Sequence, residues 1–138
     1  MSQRVAATRK KIDAALAGIH ERAPRAKVVV TGYMAPLPDQ GEGCWPQVPL
    51  LPRDVAYLRA KFREMNQMLV EAAAAAGDTF VDLYTPSLGH DLCTPYQVAW
   101  VNGLAIDPAG IPLHPNEYGH ANVAPLVAAA AGRALAAG

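Results

Sequence analysis

The sequence predicts an α/β domain built on a parallel sheet, and two observations carry that prediction. Helical and extended segments alternate in the order α-β-loop-α-β-loop-α. The extended segments are apolar on both faces, the pattern of strands covered by helices on each side. A third observation bounds the prediction. Only two strands are visible, and a two-stranded parallel sheet is too small to stand alone, so the chain reads as part of a larger domain.

Each element has its own signal. Residues 3–22 read as a helix, with Val5, Ile12, Leu16 and Ile19 near helical spacing and Arg4, Arg9, Lys10, Lys11 and Glu21 on other faces. Pro24 ends it. Residues 27–32 read as the first strand, through the run Val28-Val29-Val30. Residues 33–52 form a long loop holding five prolines, Gly41, Gly43, Cys44 and Trp45. A loop of this length is uncommon, and is usually functional or held by a staple.

Residues 53–76 give the strongest helix signal. Val55, Leu58, Phe62, Met65, Leu69 and Ala72 make one apolar stripe, read as a core-facing surface rather than a cofactor surface. Asp54 supplies negative charge at its start and Gly77 a C-cap. Residues 79–84 (TFVDLY) read as the second strand, and residues 85–115 as a second irregular stretch with Cys93 and Trp100. Residues 117–137 read as a closing helix rich in alanine, with Pro125 near its first turns or kinking it.

Composition narrows the function classes. The chain has 138 residues, 51% of them hydrophobic and 17% charged, enough apolar surface for a buried core. Its net charge is zero, which gives no footing for nucleic acid or an anionic membrane as partner. No apolar run is long enough to span a bilayer, and the start MSQRVAATRKK lacks the apolar stretch of a signal peptide. Cys44 and Cys93 lie in loop-like segments, where a disulfide and a thiol site with a histidine both stay open. A disulfide would place the protein in an oxidising compartment, in tension with the absent signal peptide.

In a parallel α/β sheet, active sites gather beyond the carboxyl ends of the strands, where both long loops begin. His114 ends the second of these loops, in Leu113-His114-Pro115-Asn116 at the entry to the last helix. His20 reads as a solvated side chain on a charged helix end. His90 precedes Asp91 in an irregular segment, and His120 lies further along the last helix. A metal site from His90, Asp91, His114 and His120 finds no support in HExxH or CxxC spacing. The serines are Ser2, in the terminal tail, and Ser87, which follows Pro86 and lies in no nucleophile elbow.

The sequence resembles the SGNH (GDSL-type) esterases and lipases, particularly their secreted bacterial branch. The matching segments are Val28-Val29-Val30-Thr31-Gly32-Tyr33, Cys44-Trp45-Pro46, Val81-Asp82-Leu83-Tyr84-Thr85-Pro86, Gly89-His90-Asp91-x-Cys93, Trp100 and Leu113-His114-Pro115-Asn116-x-x-Gly119. They occur in the family's order and cover nearly the whole chain from about Ile12. The resemblance implies a flavodoxin-like three-layer α/β/α fold and hydrolysis of carboxylic esters through a serine acyl-enzyme, with no cofactor. His114 matches the catalytic base. The family often places an aspartate three residues before that histidine, and here the position is Ile111. Some relatives use a main-chain carbonyl two residues before it, which would be that of Pro112, with Asp91, Asp107 and His90 as weaker candidates at the site. The resemblance also implies a disulfide between Cys44 and Cys93, clamping the two long loops.

The family's Gly-Asp-Ser block, its oxyanion glycine and its Gly-x-Asn-Asp block have no match in this sequence. Residues 1–138 are therefore expected to be the C-terminal portion of one such domain, inactive alone, with the signal peptide in the other half of a secreted full-length protein. The expected partners are small-molecule or lipid esters, and the exposed sheet edge is a surface for self-association. The alternatives are a non-enzymatic binding module derived from the family, one half of a split enzyme and, ranked last, a complete enzyme using Ser87 with His114 or His90. Polar residues on an inner strand would favour the binding module, and Val28–Val30 and Phe80–Val81 show none.

Overall fold

A computed structural model describes residues 3–104 and 110–137. Helix α1 (Gln3–Arg22), strand β1 (Val29–Thr31), helix α2 (Pro52–Ala76), strand β2 (Thr79–Val81), a 3₁₀ turn (Thr85–Ser87) and helix α3 (Glu117–Ala136) follow in that order. The strands pair in parallel, with Val29 opposite Thr79, Val30 opposite Phe80 and Thr31 opposite Val81. Helices α2 and α3 each pack on both strands and not on each other, so they cover opposite faces of the sheet. This is the layered α/β arrangement the sequence predicts.

Both strands are three residues long, shorter than the expected 27–32 and 79–84. Side chains at their ends explain the difference. Asp82 Oδ1 accepts the N–H groups of Tyr84 (2.8 Å) and Thr85 (3.1 Å), a local turn that takes the chain out of the ladder. Beyond β1, Gly32 donates to the Val81 carbonyl, and Tyr33 is then captured by α2. Buried Asn66 accepts the Tyr33 N–H at 2.7 Å and donates to the Tyr33 carbonyl at 3.2 Å, replacing a strand partner with a side-chain amide. Position 32 is glycine for a steric reason, because a Cβ there would lie 2.6 Å from Asn66 Oδ1.

The helices differ in how they meet the core. Pro52 opens α2 at a position where a missing N–H costs nothing, and Gly77, at φ 75°, closes it in the left-handed conformation. Val55, Met68, Leu69, Ala72 and Ala73 are buried on its inner face, while Leu58 and Phe62 of the predicted stripe are half-buried. Helix α1 packs on α2 and not on the sheet. Leu16 is its buried residue, and Ile19, predicted to face the core, is 42% exposed. Polar links hold the rest. Arg9 lies 3.5 Å from Glu71, and His20 Nε2 lies 2.8 Å from Asp78 Oδ1.

The two long loops belong to the core rather than to its surroundings. Met34, Leu37 and Val48 from the first loop pack with Leu92, Trp100 and Val101 from the second. Cys44 and Cys93 form a disulfide across them, with Cα atoms 5.4 Å apart. Among the described residues, no helix is long and apolar enough to cross a membrane.

Candidate active site

Both loops rise from the carboxyl ends of β1 and β2, and the second one builds the surroundings of His114. Its last part folds back as a short antiparallel pairing of Val101 with Pro115. Asn116 N–H donates to the Trp100 carbonyl at 3.0 Å, Asn102 N–H to the His114 carbonyl at 2.8 Å, and Leu113 N–H to the Asn102 carbonyl at 3.0 Å. The backbone on either side of His114 is thus fixed to one strand-like segment.

The tetrapeptide Ile111–His114 is a tight turn, closed by His114 N–H donating to the Ile111 carbonyl at 3.2 Å. Pro112 occupies its second position and Leu113 its third, with φ 65°. Proline followed by a residue of positive φ defines a type II turn. That third position favours glycine or asparagine, and a leucine there costs about 1 kcal/mol. His114 is exposed, and its Nδ1 lies 3.0 Å from the Pro112 carbonyl. Nδ1–H donates in that bond, which leaves Nε2 as the basic nitrogen. Among the described residues, Nε2 has no bonding partner.

Asn116 locks the far side. It is 3% exposed, its Oδ1 accepts the Gly119 N–H at 2.9 Å as the N-cap of α3, and its Nδ2 donates to the Ala99 carbonyl at 2.7 Å. A Cβ on Gly119 would lie 2.1 Å from the Trp100 carbonyl oxygen, so only glycine lets α3 start this close to the loop. The Leu-His-Pro-Asn-x-x-Gly segment is therefore a backbone-positioning unit as well as the carrier of a histidine.

Two hollows flank His114. An apolar groove of about 300 Å³ is lined by Met34, Leu37, Leu58, Phe62, Leu104 and Leu113 among others. A polar hollow of about 470 Å³ is lined by Asn102, His114, Asn116, Glu117 and His120. Pro115 borders both. The half-burial of Leu58 and Phe62 on α2 follows from their place in the groove wall.

The other residues singled out in the sequence have separate settings. His90 stacks on Trp100 with ring centroids 4.4 Å apart and places Nδ1 2.7 Å from the Val98 carbonyl. Asp91 is buried, and its Oδ1 accepts the Cys93 N–H at 2.8 Å, shaping the approach to the disulfide. Asp107 lies outside the described residues. Ser87 is fully buried, donates to the Tyr84 carbonyl at 2.8 Å and accepts the Ala35 N–H at 2.8 Å, which ties the two loops at their roots. His120 shares the polar hollow with His114. Among the described residues, no three histidine, cysteine or acidic side chains form a metal-binding group. Hydrogen bonds to Glu64 and Asp39 hold Lys61 and Arg63 of α2 above their ordinary pKa values.

Asn102 escaped the sequence reading. Its only sequence signal is one polar residue directly after the apolar run Ala99-Trp100-Val101.

Known proteins share this architecture. Residues 1–121 match the sequence model of the GDSL-like Lipase/Acylhydrolase family. Lipase 2 of Streptomyces coelicolor is 36% identical over 111 residues, which cover 80% of this chain and 38% of that protein. Lipase 1 of the same organism is 32% identical over 96 residues, covering 67% and 34%. The chain thus spans less than two fifths of the length of the curated relatives it matches. The crystal structure of an extracellular lipase from Streptomyces rimosus superposes with a TM-score of 0.73 at 29% identity, covering 92% of this chain and 56% of that one. Phospholipase A1 from Streptomyces albidoflavus superposes with a TM-score of 0.73 at 22% identity, over 88% and 50%, a likeness of fold alone.

Proposed function

Since the chain belongs to the GDSL-like lipase/acylhydrolase family, we propose that it is the C-terminal half of a serine carboxylic-ester hydrolase and supplies that enzyme's histidine. The observation that carries this reading is the His114 ring, tethered through Nδ1 to the Pro112 carbonyl with Nε2 unbonded among the described residues. A ring held in that tautomer can take the proton of a serine hydroxyl as the hydroxyl attacks an ester carbonyl, then return it to the departing alkoxide. The Pro112 carbonyl orients the ring but, being neutral, stabilises the imidazolium less than a carboxylate would.

Ser87 does not serve as the nucleophile, because both functions of its hydroxyl are used in the buried link between the loops. The nucleophile in this reading comes from the other half of the domain. Among the described residues α1 packs on α2 and on neither strand, which supports further strands supplied by that half. The apolar groove beside His114 suits the acyl part of an ester. The disulfide supports secretion of the full-length protein, as does the extracellular S. rimosus relative.

A fluorophosphonate probe tests this on the protein isolated from its source. The expected adduct is on a serine other than Ser87, in a polypeptide that also contains His114, and His114→Ala abolishes labelling. An adduct on Ser87, or labelling undiminished by His114→Ala, refutes the assignment.

A further inference from the structure

We propose that Asn102 is a positioning residue for His114, acting by holding the Ile111–His114 turn in the one form that aims the Pro112 carbonyl at the ring. The inference rests on the reading of His114 as the base. Asn102 is 4% exposed and lies beneath the turn. Three of its groups grip it: Nδ2 donates to the Ile111 carbonyl at 3.2 Å, the main-chain carbonyl accepts the Leu113 N–H at 3.0 Å, and the main-chain N–H donates to the His114 carbonyl at 2.8 Å. The fit is tight, since a Cβ on Gly110 would lie 2.1 Å from Asn102 Nδ2.

Turn geometry explains why such a grip matters. Types I and II differ chiefly by a flip of the central peptide, here the one joining Pro112 to Leu113. In type II the Pro112 carbonyl faces His114 Nδ1, at the observed 3.0 Å. In type I it faces the opposite way, and the ring loses its acceptor. Type II requires positive φ at Leu113, which a leucine resists, so the residue's own preference pulls toward the wrong form. Glycine would remove the conflict, but Leu113 also lines the apolar groove. The grip of Asn102 on both ends of the turn reconciles a leucine in the groove wall with a carbonyl aimed at the histidine.

The test is ¹⁵N NMR of the imidazole in the full chain, which distinguishes the two neutral tautomers. The wild-type His114 ring is expected as Nδ1–H. Asn102→Ala is expected to shift it to predominantly Nε2–H, the form a histidine without a partner prefers. Adding Leu113→Gly to Asn102→Ala should restore Nδ1–H, because glycine holds the type II turn unaided. A merely structural role for Asn102 predicts no such rescue. A folded Asn102→Ala chain that keeps Nδ1–H overturns the clamp and leaves the reading of His114 intact. A wild-type ring found as Nε2–H overturns both. Should Asn102→Ala alone fail to fold, the double variant decides: Nδ1–H supports the clamp, whereas Nε2–H or continued failure to fold overturns it.

Discussion

The two ends of this molecule are held together by different means. At the amino-terminal edge, α1 rests on α2 through Leu16 and a few polar links such as Arg9 to Glu71 and His20 to Asp78. Around the carboxyl ends of the strands, long segments without regular structure are pinned by a disulfide, by buried Ser87, Asp91, Asn102 and Asn116, and by His90 stacked on Trp100. A helix carries its own hydrogen bonds and needs only one apolar face. An irregular loop must find a partner for each buried N–H and C=O, and here single side chains supply them. The irregular end is therefore the more rigidly specified of the two, which suits the proposed role of His114, one imidazole held in one orientation.

Substitutions can break that contrast, and the largest effect is expected at the loop end. His114→Ala in the active full-length protein should lower ester turnover roughly 10²- to 10⁴-fold with the fold retained, as steady-state kinetics and circular dichroism would show. Turnover within a factor of two of wild type would contradict the assignment of the base. Replacing Cys44 and Cys93 by serine removes a cross-link between residues 49 positions apart and should lower stability by about 4 kcal/mol in denaturant titration. Gly119→Ala forces a methyl group against the Trp100 carbonyl and should cost about 3 kcal/mol. Asn116→Ala removes the N-cap of α3 and strands the buried Ala99 carbonyl, for a loss of about 2 kcal/mol. At the other end, Asp13→Ala breaks the 2.6 Å pair with Arg9 on the surface of α1 and should cost at most about 0.5 kcal/mol. If Asp13→Ala proved as damaging as Asn116→Ala, the two ends would not differ as described.

The same contrast governs what the sequence reveals. Helices spanning 3–22, 53–76 and 117–137 are legible because apolar spacing, Pro24 and Gly77 mark them, and they lie within a residue or so of α1, α2 and α3. The strands are legible in place but not in length, since Asp82 and Asn66 end them through side-chain bonds that hydrophobic pattern does not encode. The exposure of Ile19 was not legible either. A spacing rule reports an apolar face but not whether anything lies opposite it. At the site, the Leu-His-Pro-Asn-x-x-Gly segment stands out by its residue types, and the resemblance it carries indicates the pairing of Cys44 with Cys93. The roles of Asn102 and Leu113 depend on a turn type and a φ angle, properties of the folded backbone, and no periodicity could expose them.

The cross-link between the loops has a further consequence, for cleavage of the chain. Cys44 and Cys93 close a ring that contains all of α2 and β2. A protease cutting once anywhere from Trp45 to Leu92 would leave two products joined through sulfur, migrating as one species until a reductant is added. A single cut before Cys44 or after Cys93 would leave no such bond between the products. Comparing digests with and without reductant would therefore map which side of the ring is attacked first, and would show whether the segment carrying His114 or the helix beneath its groove is the first to open.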